Sequence, residues 1–124
     1  MAPFFAYVIC PHPEAAEQLA RELLNRRLVA CANIIDRITS LYWWEGELRR
    51  DSETVLILKT REELLTALTD SICKLHAYHC PCVAAWPVTA GNPDFLRWIE
   101  AETMTMTPIS DQTNLPVTHS DRCN

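Results

Sequence analysis

Two stretches of the sequence repeat apolar residues every three or four positions, which is the spacing of an amphipathic helix. The first stretch spans residues 13–27 and the second spans residues 61–75. Thr60 and Glu63 have the spacing of a capping box, which predicts that Thr60 caps the start of the second helix. A third, shorter apolar pattern predicts a helix that ends near Thr103.

Three apolar runs without helical spacing predict short, buried strands. These runs are residues 4–10, 29–35 and 83–88. The second run is followed by Asp36 and Arg37, whose charges predict a break in the chain before the next strand begins.

The stretch from Ile38 to Thr60 predicts a long β-hairpin. Its first strand is rich in β-branched and aromatic residues, its turn contains Glu45-Gly46, and its second strand spans residues 54–59. Successive residues of a strand face opposite sides of the sheet, so Trp43 and Trp44 cannot both enter one small core. We therefore expect a partner subunit to cover one of the two tryptophans.

The predicted order of elements is strand, helix, strand, strand, helix, strand and a final helix. This order is the split βαββαβ pattern of the α+β ferredoxin-like fold, here with an extended β-hairpin and an added C-terminal helix. Right-handed crossovers place both main helices on one face of an antiparallel sheet. The other face is predicted to have no helix over it, which favours self-association through that face.

The length and the tail composition predict one folded domain. A chain of 124 residues is the size of a single domain, which we assign to residues 1–103. Residues 104–124 are rich in Thr, Ser, Asp, Asn and Pro and have no apolar periodicity. This segment is predicted to be a polar, mobile tail.

The charge and the cysteine content exclude several classes of protein. The net charge of −5 and the absence of a Lys/Arg cluster argue against nucleic-acid binding. No apolar run approaches the length of about 20 residues that a membrane span needs. The first residues do not have the pattern of a signal peptide, so we expect a cytoplasmic protein whose six cysteines are thiols rather than disulfides.

Five side chains that suit soft metal ions lie within ten residues, beginning in the last turn of the predicted second helix. They are Cys73, His76, His79, Cys80 and Cys82. Thiolate and imidazole favour copper(I), zinc and related ions, and two thiols on either side of a proline can hold one ion if both point the same way. The alternative is structural, with buried thiols and solvated histidines.

Several segments together resemble the CutA divalent-cation tolerance family. The similarity extends from about Ala6 to Glu102, and its segments are Leu28-Val29-Ala30-Cys31-Ala32-Asn33-Ile34, Thr39-Ser40-Leu41-Tyr42-Trp43-Trp44-Glu45-Gly46, Leu58-Lys59-Thr60 and Gly91-Asn92-Pro93-Asp94-Phe95-Leu96-Arg97-Trp98. The resemblance implies a ferredoxin-like fold and a tight homotrimer built through the long hairpin. It also implies an association with copper and other divalent cations.

The resemblance also implies metal ligands at the end of the first strand and after the second helix. Cys10 matches the family's cysteine and His76 matches one of its histidines. Leu75, Ala77 and Cys82 stand where the family pattern has His, Pro and commonly Glu, so the ligand set carries over only in part. The predicted metal ligands of this chain are Cys10, His76, Cys80 and Cys82.

Three functions follow from these observations. The first is a homotrimeric protein that binds metal ions, with no nucleic-acid or membrane partner, and acts in metal tolerance or homeostasis. The second is a signalling module that resembles the trimeric PII proteins and binds a small anion in clefts between subunits. An enzyme that uses Lys59 and Tyr78 in such a cleft is the third, but no nucleophile and base stand at a recognisable spacing, so we expect no catalysis.

Overall fold

The computed structural model describes residues 2–103, and the predicted tail from residue 104 lies outside this part of the chain. The strands are β1 (Pro3–Cys10), β2 (Cys31–Trp44), β3 (Glu47–Arg61) and β4 (Val83–Pro87). The helices are α1 (Pro13–Asn25), α2 (Leu65–Leu75) and α3 (Pro93–Glu102), with a 3-10 turn at Glu62–Leu64 before α2. No helix in residues 2–103 is both long and apolar enough to span a bilayer.

The four strands form one antiparallel sheet in the order β2-β3-β1-β4. Helices α1 and α2 pack on one face through buried side chains such as Leu19, Leu23, Leu68 and Ile72. Their partners on the sheet include Val8, Leu56 and Leu58. The predicted α+β, ferredoxin-like arrangement with both main helices on one face is therefore confirmed.

The hairpin of β2 and β3 is longer and more regular than the sequence pattern predicts. Pairing runs from Cys31 opposite Lys59 to Trp44 opposite Glu47 without a break in either strand. The predicted break at Asp36 and Arg37 is wrong, because these residues form a β-bulge in which Arg37 has a positive φ of 60°. A bulge adds one unpaired residue and bends the strand, but the ladder continues on both sides of it.

The bulge changes which residues of β2 share a face. Ile35 lies opposite Val55 and Ile38 lies opposite Glu53, so two residues three positions apart point to the same side. We call this side, away from α1 and α2, the open face. Beyond the bulge, the even-numbered residues Tyr42 and Trp44 lie on it.

The predicted capping box at Thr60 is also wrong. Thr60 remains in β3 opposite Phe4, and its hydroxyl donates a hydrogen bond to the Leu28 carbonyl at 2.7 Å. The hydroxyl is therefore not available to a helix, and Arg61 precedes the 3-10 turn without a side-chain cap. Pairing of β1 with the end of β3 outweighs the local capping preference, which delays α2 to Leu65.

The two adjacent tryptophans lie on opposite sides of the hairpin, as predicted. Trp43 pairs with Leu48 and Trp44 pairs with Glu47, and both indoles are exposed in the single chain, at 73% and 46%. Leu41 and Leu48 are 68% and 63% exposed on the same side as Trp43. The hairpin thus presents large apolar surface that no described residue of this chain covers.

The prediction that the second sheet face has no helix is wrong at one end of the sheet. Helix α3 lies against the open face, where Ile99 is fully buried and Glu100 pairs with Arg61 at 3.8 Å. A salt bridge of 2.9 Å between Arg27 and Glu102 also connects the end of α3 to the loop after α1. The pattern of strands and helices gives no information on where an added terminal helix packs.

Replacing Thr60 with valine should destabilise the fold without changing its shape. Valine keeps the volume but leaves the buried Leu28 carbonyl without its donor, which should lower the free energy of unfolding by about 1–3 kcal/mol. Equilibrium unfolding in guanidinium chloride measures the change, and Thr69→Val, an exposed threonine of α2, is the matched control. Equal stability of the two variants would show that this hydrogen bond is not important.

Candidate functional site

A cleft of about 760 Å³ opens on the open face where the hairpin leaves the body of the protein. Its walls come from the centre of β1, both hairpin strands and the segment between α2 and β4. The chemistry-bearing side chains that line it are Tyr42, Asp51, Glu53, Tyr78, His79, Cys80 and Cys82, with Trp44 and Arg49 at the hairpin end.

Two phenols anchor two carboxylates in this cleft. The Tyr78 hydroxyl donates to Glu53 Oε2 at 2.6 Å, and the Tyr42 hydroxyl donates to Asp51. Glu53 is only 9% exposed, so its carboxylate is held in a partly desolvated position. Burial, and then the hydrogen bond to Glu53, raise the pKa of Tyr78, which therefore remains a hydrogen-bond donor at neutral pH.

The cleft carries an excess of negative charge. Asp51 and Glu53 are alternate residues of β3 and lie on the same face. Arg49, the next residue on that face, is the cation at the end of the cleft, and it is already engaged by Glu47 at 3.4 Å. The electrostatic potential of this arrangement favours a cation over an anion.

Cys80 and Cys82 both line this cleft. They flank Pro81 in the segment that leads into β4, and both are exposed, unpaired thiols. The Cys82 carbonyl accepts a hydrogen bond from the Ile9 amide at 3.4 Å, which ties this segment to the end of β1. Partial burial and the charge of Glu53 raise the pKa of the Cys82 thiol.

Cys10 lies in a different pocket, on the helix side of the sheet. It is a buried residue at the end of β1 and lines a cavity of about 250 Å³ with Gln18, Glu22 and His76. Burial, and to a smaller extent the charge of Glu53, raise the pKa of the Cys10 thiol to about 11. The thiol is therefore protonated at neutral pH in the absence of metal.

Both ring nitrogens of His76 are engaged by the backbone. Nδ1 is 2.9 Å from the Tyr78 amide, and Nε2 is 2.6 Å from the Ile9 carbonyl. An amide N–H can only donate and a carbonyl can only accept, so His76 is a neutral imidazole with its proton on Nε2. A metal could bind Nδ1 of His76 only if the hydrogen bond from the Tyr78 amide to this nitrogen were broken.

The structure thus separates the four predicted ligands into two pairs. Cys80 and Cys82 share the acidic cleft, whereas Cys10 and His76 share the smaller pocket behind the sheet. Within residues 2–103, no group of three or more His, Cys, Asp or Glu side chains lies close enough to hold a metal ion. The metal site of this chain stays a prediction.

Sequence reasoning missed the carboxylates of the cleft. Asp51 and Glu53 fall in a polar stretch that predicted a connection, whereas the structure places them inside β3. Their spacing of two residues, which puts both on one face of a strand, was the available signal.

Comparison with known proteins identifies close relatives. A family model described as "CutA1 divalent ion tolerance protein" matches residues 4–102. Among curated relatives, the rice protein "Protein CutA 1, chloroplastic" is 44% identical over 97 residues, which are 78% of this chain. The matched residues make up 55% of the rice protein, so this chain spans about half the length of that relative.

Two solved structures show the same architecture. The crystal structure of CutA1 from Oryza sativa has a TM-score of 0.81 and 41% identity, covering 84% of this chain and 95% of that one. The "Periplasmic divalent cation tolerance protein CutA" from Archaeoglobus fulgidus has a TM-score of 0.78 and 38% identity, covering 81% and 97%. By sequence over residues 4–102 and by fold, this chain belongs to the CutA1 family of divalent ion tolerance proteins.

Proposed function

We propose that this protein is a homotrimer that binds soft metal ions, copper(I) first among them, and so contributes to divalent-cation tolerance. The observation that carries the proposal is the open-face cleft, where two exposed thiols lie in an acidic environment. Copper(I) can be held by two thiolates alone, so the Cys80–Cys82 pair is a sufficient minimal donor set. In this proposal the metal is the cargo of the protein, and binding rather than catalysis is its activity.

The surroundings of the predicted metal ligands support a stronger site at Cys80 and Cys82 and a weaker one at Cys10 and His76. Cys80 and Cys82 can reach a metal directly from solvent. Cys10 and His76 make a second, weaker site, because binding there deprotonates a buried thiol and breaks the hydrogen bond between Tyr78 and Nδ1. Divalent cations that accept thiolate and imidazole ligands, such as zinc, fit the same side chains.

The charge of the cleft argues against the PII-like alternative at this place. An anionic ligand would have to approach Asp51 and Glu53, which outnumber Arg49. A titration with a panel of nucleotides tests this alternative, and binding lost with Arg49→Met would favour it over metal binding.

Free thiols also favour a reducing compartment, and we propose the cytoplasm. All five described cysteines are unpaired. The names of relatives point to other compartments for those proteins, since one is called chloroplastic and another periplasmic. Fractionation of cells, with the thiols alkylated before lysis, measures both the location and the redox state.

Self-association is proposed because the hairpin exposes large apolar residues on both sides. We expect light scattering to give a mass of about three times 14.2 kDa. The double variant Trp43→Ser/Leu48→Ser removes two of the most exposed apolar side chains and should shift the mass toward one chain. A wild-type protein that runs as a monomer would contradict the assembly proposal.

Copper(I) affinity should depend mainly on the thiols of the cleft. In competition with a copper(I) chelator, Cys80→Ser/Cys82→Ser should lose at least about tenfold in affinity, whereas Cys10→Ser and His76→Ala should lose less. Cys73→Ser is the matched control, because Cys73 is an exposed thiol of α2 that lines neither pocket. If all variants bind as tightly as the wild type, the metal proposal has no support from these residues.

The same affinity should rise with pH. Each thiol must release its proton to bind metal, so below the thiol pKa protons compete with the metal. Burial and Glu53 raise the pKa of Cys82, which extends the rise to a higher pH than for an ordinary thiol. Removing the Glu53 charge with Glu53→Gln should shift the rise to lower pH, and a pH-independent affinity would exclude thiolate ligands.

A further inference from the structure

The Glu53 carboxylate is held in a fixed position beside the thiols of the acidic cleft. Glu53 is 9% exposed, and its Oε2 accepts a hydrogen bond of 2.6 Å from the Tyr78 hydroxyl. Tyr78 belongs to the segment between α2 and β4 that carries Cys80 and Cys82, so this bond joins β3 to the thiol-bearing segment. Glu53 is already buried within one chain, so its burial does not depend on whether a partner subunit covers the open face.

Glu53 and Cys82 approach the end of β1 from its two sides, because β1 lies between β3 and β4 in the sheet. On one side, Ile9 of β1 pairs with Val55, which is two residues after Glu53 on the same face of β3. On the other side, the Ile9 amide donates a hydrogen bond to the Cys82 carbonyl at 3.4 Å. Burial, and then the charge of Glu53, raise the pKa of the Cys82 thiol, so the field of this carboxylate reaches the sulfur.

The net charge of a metal complex at Cys80 and Cys82 depends on the metal. Copper(I) held by two thiolates carries one net negative charge, whereas a divalent cation held by the same two thiolates is neutral. A neighbouring carboxylate therefore repels the copper(I) complex and does not repel the divalent one. Because the metal-free protein is the same in both reactions, the carboxylate changes the ratio of the two affinities through this difference alone.

We propose that Glu53, with a smaller contribution from Asp51, shifts the selectivity of the thiol pair away from copper(I) and toward divalent cations. This proposal rests on the proposed function, because it requires that metal binds at Cys80 and Cys82. Asp51 lies on the same face but is exposed, so water and salt screen its charge more than that of Glu53. The acidic surroundings reduce the preference of two thiols for copper(I), so that the same pair also holds divalent ions such as zinc.

The ratio of copper(I) affinity to zinc affinity tests this proposal in the full-length protein. Each metal is measured at the same pH by competition with a chelator, with oxygen excluded. Glu53→Gln keeps the shape of the side chain and an acceptor for Tyr78 but removes the charge, and it should raise the ratio at least about fivefold. Glu53→Asp keeps the charge and should stay close to the wild-type ratio.

Two further variants control for net charge and for folding. Glu62→Gln removes one negative charge from an exposed residue of the 3-10 turn that does not line the cleft, and it should leave the ratio unchanged. Asp51→Asn changes an exposed residue and should raise the ratio by only about twofold, because its charge is screened. Since an exposed residue tolerates substitution, Asp51→Asn keeps the test decisive if Glu53→Gln does not fold.

The proposal is overturned if folded Glu53→Gln or Asp51→Asn has the wild-type ratio, or if Glu62→Gln raises the ratio as much as Glu53→Gln. X-ray absorption at the zinc edge should show the same ligand atoms in the wild type and in Glu53→Gln. Loss of an oxygen ligand in this variant would also overturn the proposal, because Glu53 would then bind the metal itself rather than act through its charge.

The double variant Cys80→Ser/Cys82→Ser distinguishes failure of this proposal from failure of the proposed function. If the double variant keeps the wild-type affinity for both metals, the thiols of the cleft do not bind metal and both proposals fail. If it loses both metals while Glu53→Gln keeps the wild-type ratio, the thiol site stands and only the selectivity proposal fails.

Discussion

The pairing of β2 with β3 along the whole hairpin is the constraint on which the rest of the structure depends. The ladder continues past the end of the helical layer, and residues 47–52 of β3 are all exposed while residues 53–56 are buried. A strand pair that extends beyond its own helices has no way to cover both of its faces. The cleft, the exposed tryptophans and the proposed trimer all follow from this excess length of strand over helix.

The bulge at residues 36 and 37 determines which side chains of the hairpin point to the open face. Without the extra residue, Tyr42 and Trp44 would point away from the open face, because a shift of one residue reverses every later side chain. With it, Tyr42 joins Asp51, Glu53 and Tyr78 around one cleft. The two ends of the open face then differ in chemistry, since carboxylates and thiols lie at the hairpin end, whereas the Lys59 ammonium lies beside the rings of Phe5 and Phe95 at the α3 end.

Most of the fold could be predicted from the sequence, because long amphipathic patterns and apolar runs fix the order of strands and helices. The apolar spacing of residues such as Leu19, Leu23, Leu68 and Ile72 predicted the two main helices, and right-handed crossovers predicted that both lie on one face, as the structure confirms. The errors arose where tertiary pairing overrides a local preference. Thr60 fits a helix cap but stays in β3, and Asp36-Arg37 looks like a break but is a bulge. The position of α3 depends on contacts such as Arg61 with Glu100, which no local pattern encodes.

For the candidate site, the Cys and His content indicated soft-metal chemistry. The separation of the predicted ligands into two pockets could not be predicted, because it depends on the sheet that lies between Cys10 and the cleft.

The central claim is that metal binds to the two thiols of the acidic cleft, and X-ray absorption at the copper edge tests it most directly. For wild-type protein loaded with one equivalent of copper(I), the account predicts a first coordination shell dominated by two sulfur atoms. It also predicts that Cys80→Ser/Cys82→Ser loses this sulfur shell while Cys10→Ser retains it. A shell of nitrogen and oxygen atoms alone, or the same sulfur shell in the Cys80→Ser/Cys82→Ser variant, would contradict the account.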